Sequence, residues 1–178
     1  MFELEVQTLM INMTTLTYKP LKEKIVTSEE LKFIKLGENK GYVFISRDGS
    51  EIIYRASGKS YGFKKEKEKV RAYFLVKLIE EYKYSEKSIQ LDVEVPGVDS
   101  ADLVVYEKIL PYIIVECQRA AISQSEIKKA QKQVIEKAKV LKAKYAVLVV
   151  GPRQMVFDIQ AEAKQILNLP SNYKEIKI

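Results

Sequence analysis

The stretch "ADLVVYEKILPYIIVECQ", Ala101–Gln118, decides the fold. "ADLVVY" and "YIIVEC" are near-continuous apolar runs rich in β-branched residues, as expected of strands buried on both faces. A short polar segment joins them, so they read as a hairpin. Asp102 opens the first strand and Glu116 closes the second. A tight turn centred near Ile109 sets Asp102 opposite Glu116, Val104 opposite Ile114 and Tyr106 opposite Tyr112. Directly opposed residues share a face at roughly 4.5–5.5 Å. Two carboxylates that close repel unless a cation or a proton lies between them. Gln118, two residues on, returns to the same face. The plain alternative is a pair of strand ends that meet solvent. Cys117 alternates to the opposite face and reads as a small core residue.

The flanking sequence supplies the rest of a sheet and its helices. In "KKEKEKVRAYFLVKLIEEYKYS", Val70, Phe74, Leu75, Leu78 and Tyr82 recur at three- and four-residue spacing, which predicts an amphipathic helix with Glu68 on the flank of the apolar stripe. "SIQLDVEV" alternates with period two and stops at Pro96-Gly97. In "SQSEIKKAQKQVIEKAKVLKAK", Ser123 and Glu126 form a capping box, and Ile127, Ala130, Val134, Ala138 and Leu141 line one face of a long helix. "YAVLVVG" is a further buried strand, and "IQAEAKQILNL" reads as a final helix. Residues 65–178 thus form an α/β domain with helices on the faces of its sheet. Residues 1–64 read as a small β-rich extension. "LKFIKLG", "GYVFISRDGS" and "EIIYRASG" alternate, Asp48-Gly49 marks a hairpin, and Leu21–Leu36 has room for one short helix capped by Thr27 with Glu30.

Composition narrows the chemistry. The 178 residues include no His and one Cys, which removes imidazole-dependent nucleophilic catalysis and the usual zinc ligand sets. Hydrolytic chemistry then rests on carboxylates, lysines and a hard, oxygen-ligated cation such as Mg²⁺. The net charge of +6 is compatible with a polyanionic partner. The runs "KKEKEKVR" and "KKAQKQ" read as solvated helix faces, and are also the first places where phosphates could be gripped. No apolar run approaches the ~18 residues of a membrane span, and the acidic start "MFELEV" does not resemble a secretory leader. With one Cys, the expected compartment is the cytoplasm.

Residues 66–151 resemble the N-terminal nuclease domain of type I restriction enzyme R subunits and its stand-alone relatives, within the PD-(D/E)xK, or restriction-endonuclease-like, superfamily. The resemblance is carried by Glu68 with Arg71 three residues on, by "ADLVVY" with Asp102, by "IIVECQ" at the family's ExK strand, and by "YAVLVVG" after a Gln-bearing helix. It implies a mixed central sheet flanked by helices, DNA as partner, a homodimeric assembly as in many such nucleases, and phosphodiester hydrolysis with Mg²⁺ or Mn²⁺. By the same resemblance Asp102 and Glu116 hold the metal, Glu68 assists the metal or its water, Gln118 positions the nucleophile, and Gln133 supports the site or a DNA phosphate. Counting back from Tyr145 favours Gln133 as the family glutamine, whereas the helix wheel leaves Gln131 and Gln133 both at the edges of the apolar face. The chain departs from the pattern at Gln118, where the family has lysine: an amide positions water but carries no charge and is no base at neutral pH. Lys137 stands where the family has an aromatic residue, if Gln133 is the helix glutamine. The alternative implied by Gln118 is a nuclease fold without catalysis, serving DNA binding or assembly.

Overall fold

A computed structural model describes residues 27–172. Readings that fall on residues 1–26, including the leader comparison and the first part of the helix placed in Leu21–Leu36, lie outside the described residues. The chain forms α1 (Ser28–Lys40), a three-stranded sheet of β1 (Val43–Ile45), β2 (Glu51–Tyr54) and β3 (Ser60–Gly62), and then α2 (Glu66–Glu80). There follow β4 (Ile89–Val95), β5 (Val98–Glu107), β6 (Leu110–Gln118), α3 (Gln124–Val140), β7 (Tyr145–Val150), β8 (Arg153–Asp158) and β9 (Lys164–Ile166). The large sheet runs in the order β4-β5-β6-β7-β8-β9, with β6 and β7 parallel and every other pair antiparallel. It is the mixed sheet flanked by helices that the sequence predicts.

Alternation in the central strands sorts the core into two layers. Odd-numbered residues Leu103, Val105, Ile113, Val115 and Cys117 pack toward α2, and even-numbered Val104, Ile114, Ala146, Leu148 and Val150 pack toward α3. The parallel β6–β7 step follows from α3, which returns the chain to the same end of the sheet. Both expected capping boxes form: Thr27 and Glu30 exchange hydrogen bonds at the start of α1, as do Ser123 and Glu126 at α3.

The hairpin is built differently from the expectation, yet its register toward the site is kept. A two-residue turn at Lys108–Ile109 is followed by a bulge between Val105 and Tyr106, so Tyr106 pairs with Pro111 rather than Tyr112. One bulge restores the pairing that a three-residue turn would have set, and Val104 faces Ile114 as expected. Two other expectations are corrected. "LKFIKLG" lies inside α1, because Glu30, Ile34 and Gly37 follow the helical period into the core. The final helix over "IQAEAKQILNL" does not form: the Asp158 carboxylate accepts backbone hydrogen bonds from Gln160 and Ala161, Glu162 and Ala163 take positive φ, and the chain turns back as β9 against β8. The sequence reading also omits β3 and β8.

The small sheet and α1 share the α2-side core. Ile34, Val43, Ile52 and Tyr54 pack with Phe74, Leu75, Val76, Leu103 and Val115 in a single cluster. Residues 28–62 therefore cover one face of α2 while the large sheet covers the other.

Candidate active site

Asp102 and Glu116 are 7% and 6% exposed, both on the α3 side of the sheet. Backbone pairing ends at Leu103 with Val115, and continuing that register by one residue sets Asp102 opposite Glu116. Asp102 Oδ2 accepts the backbone N–H of Cys117 at 2.7 Å, which ties the first carboxylate to the strand that carries the second. Burial and the adjacent Asp102 push the Glu116 carboxyl up to about 6, against the opposing pull of Lys137 and Lys67.

Two lysines complete the site, and sequence reasoning assigned neither of them. Lys137 Nζ donates to Glu116 Oε2 at 2.6 Å and to the Ser100 carbonyl at 2.9 Å, and the residue is 4% exposed. A signal was available: with Ile127, Ala130, Val134 and Ala138, position 137 falls on the inward stripe of α3, where an unpaired lysine would be costly. Lys67, in the first turn of α2, places Nζ 3.0 Å from Asp102 Oδ1 and 3.4 Å from Glu116 Oε1. Burial alone would lower its pKa, but the two carboxylates outweigh that and hold it raised. Nothing in the charge run "KKEKEKVR" distinguishes this lysine from its neighbours; only the docking of α2 does.

The remaining sequence candidates divide. Gln118 borders a cleft beside the carboxylates, together with Lys67 and Arg119. Gln133 lies one turn before Lys137 on α3, and Gln131 donates to Met155 Sδ at 3.1 Å. Glu68 is turned into a buried network. Its oxygens accept Tyr54 Oη–H at 2.5 Å and two guanidinium hydrogen bonds from Arg71 at 3.0 and 2.6 Å. Arg71 also donates to Asp92 at 2.6 Å and lies 4.2 Å from the Tyr61 ring centre, and Tyr61 in turn donates to Asp92. The desolvation of this guanidinium is compensated by Glu68, which keeps its pKa raised. Glu68 and Arg71 thus join the small sheet, α2 and β4. Cys117 is fully buried, and burial raises its thiol pKa well above the usual range.

Among the described residues no three His, Cys, Asp or Glu side chains cluster as a metal site. The donor set still fits a hard dication, because Mg²⁺ takes one or two carboxylates and completes its shell with water and substrate phosphate oxygens. The Lys67 ammonium shows where a cation sits: one oxygen of each carboxylate converges on it.

The mixed sheet carries a carboxylate pair on its central hairpin with lysine beside it, and the family that the chain matches makes it a restriction-enzyme-related, nuclease-like domain. The family model for the type I restriction enzyme R protein N terminus (HSDR_N) matches residues 66–171, and the chain belongs to that family. A search of curated proteins found no match.

Proposed function

We propose that this domain binds DNA and hydrolyses its phosphodiesters with Mg²⁺ or Mn²⁺ held by Asp102 and Glu116. The observation that supports the reading is Lys137, a buried ammonium 2.6 Å from Glu116. It provides from α3 the positive charge that Gln118 does not provide from β6. A divalent cation between the carboxylates would supply polarisation of a phosphoryl oxygen and an acidified water. Asp102, fixed by the Cys117 N–H, and Glu116, fixed by Lys137, each leave one oxygen, Oδ1 and Oε1, turned toward the Lys67 ammonium, and these two oxygens would hold such a cation. Lys137 stabilises negative charge that develops beside Glu116, and Gln118 at the cleft orients the attacking water through its amide. Glu68 acts through Arg71 and Tyr54 to seat α2.

Labelled duplex and single-stranded DNA, incubated with Mg²⁺, Mn²⁺ or chelator, test this reading. Metal-dependent cleavage is expected, with Asp102→Ala abolishing it and Lys137→Met lowering it about 10²–10³-fold, the magnitude of losing one preorganised charge stabiliser. Adding Gln118→Lys to Lys137→Met should restore part of the rate, because the ammonium then returns from the neighbouring strand. DNA binding without cleavage under every metal condition would instead establish a non-catalytic DNA-binding or assembly module.

A further inference from the structure

Lys67 sets this site apart from a plain carboxylate pair. Asp102 Oδ2 is taken by the Cys117 N–H and Glu116 Oε2 by Lys137. The oxygens left over, Asp102 Oδ1 and Glu116 Oε1, are the two on which the Lys67 ammonium converges. With both lysines in place, two negative charges face two positive ones, and the site is neutral on its own. A dication that used the same two oxygens would meet Lys67 in its position, and two cations cannot share it.

The two lysines differ in freedom. The Lys137 side chain is 6% exposed and is tied to the Ser100 carbonyl as well. That of Lys67 is 46% exposed and borders a cleft of about 420 Å³ lined also by Lys64, Lys65, Gln118 and Arg119. Its unbranched stem can swing from the carboxylates into that cleft with no change in the backbone. Two acids, Glu66 and Glu126, also border the cleft, and Glu126 is engaged in the capping box with Ser123. The four basic side chains give the cleft the chemistry of a phosphodiester backbone site.

We propose that Lys67 is an exchangeable counter-ion: it closes the carboxylate pair in the free protein, and a divalent cation displaces it into the adjoining basic cleft, where it binds a nucleic-acid phosphate. The proposal rests on the reading of Asp102 and Glu116 as metal ligands. It makes metal and nucleic acid help each other bind, since the cation frees the lysine that the phosphate uses.

Calorimetric titration with Mn²⁺, without nucleic acid, tests the first half on the full chain, Lys67→Met and Lys67→Gln, with Asp102→Ala as control. Both Lys67 variants should bind Mn²⁺ about two- to fivefold more tightly than the parent, as expected when a partly exposed competing ion pair is removed. Anisotropy of a labelled duplex, with Ca²⁺ or with chelator, tests the second half. Ca²⁺ should tighten duplex binding by the parent several-fold more than by either variant. Equal or weaker Mn²⁺ binding by the variants, or an undiminished Ca²⁺ gain, overturns the exchange while leaving the metal site standing. Absence of Mn²⁺ binding by parent and variants alike overturns the metal-site reading, and the exchange with it.

Discussion

Glu116 and Lys137 show how two residues far apart in sequence come to act on one another. Glu116 lies two residues before the end of β6, Lys137 interrupts an apolar helical stripe, and each would be costly to bury alone. Together they form a hydrogen-bonded pair that also fixes the orientation of the Glu116 carboxylate. On the proposed reading, this pair supplies from α3 the charge that Gln118 lacks. The raised Glu116 pKa has two consequences with a definite sign. A carboxyl at about 6 in the folded chain, against an ordinary 4.5, binds its proton more tightly when folded. Its contribution therefore makes the metal-free protein less stable as pH rises from 4.5 to 6, and the loss is complete above that window. Denaturant melts across this range should show that slope, and Glu116→Gln should remove it. A cation held by Glu116, as proposed, would also have to displace the proton, so Mn²⁺ affinity should fall by about tenfold per pH unit below about 6, measured by titration calorimetry.

At the scale of elements, the site depends on where α2 and α3 dock. The register of β5 on β6 was legible from the hairpin pattern, and it survives because a bulge offsets a shorter turn. The docking of α2 was not legible, since its periodicity defines an apolar face without saying what covers each side. In the structure α1 packs against α2 through Gly37, where an added Cβ would lie 2.5 Å from Val76 Cγ2 and 3.2 Å from Val43 Cγ2. Gly37→Ala should cost about 1–3 kcal/mol by overpacking, read as a lower urea midpoint at unchanged slope. Because Gly37 sits at an ordinary helical position, the alanine also gains roughly 0.5–1 kcal/mol from the lower entropy of its unfolded chain, which offsets part of the clash. The expected final helix failed for a related reason. Ile159, Ala163 and Ile166 have near-helical spacing, but the Asp158 carboxylate holds Gln160 and Ala161 in a turn, and Lys164–Ile166 then adds to the open edge of β8.

For the whole molecule, the family match begins at residue 66, but the core does not. Ile34, Val43, Ile52 and Tyr54 are buried against α2, and Tyr54, Tyr61 and Arg71 bind the small sheet to α2 and β4. A chain beginning at Lys65 would expose the α1-facing side of α2 and leave Glu68 and Arg71 without their tyrosines. It should therefore lose the sharp, cooperative thermal transition of the full chain, measured by calorimetry or circular dichroism.

Local pattern alone was enough to place the central hairpin, the buried strand after α3 and both capping boxes, and to put the two carboxylates on adjacent strands, although β5 begins four residues before Asp102 and β6 runs two residues past Glu116. Each depends on residues a few positions apart and on periods of two or 3.6. Tertiary structure decided which charges surround those carboxylates. Glu68, expected from the resemblance to assist a metal, hydrogen-bonds to Arg71 and Tyr54, while Lys67 and Lys137 reach Asp102 and Glu116. Side chains from separate elements meet only after helices dock, and a buried charge takes whichever partner that docking brings within hydrogen-bond reach.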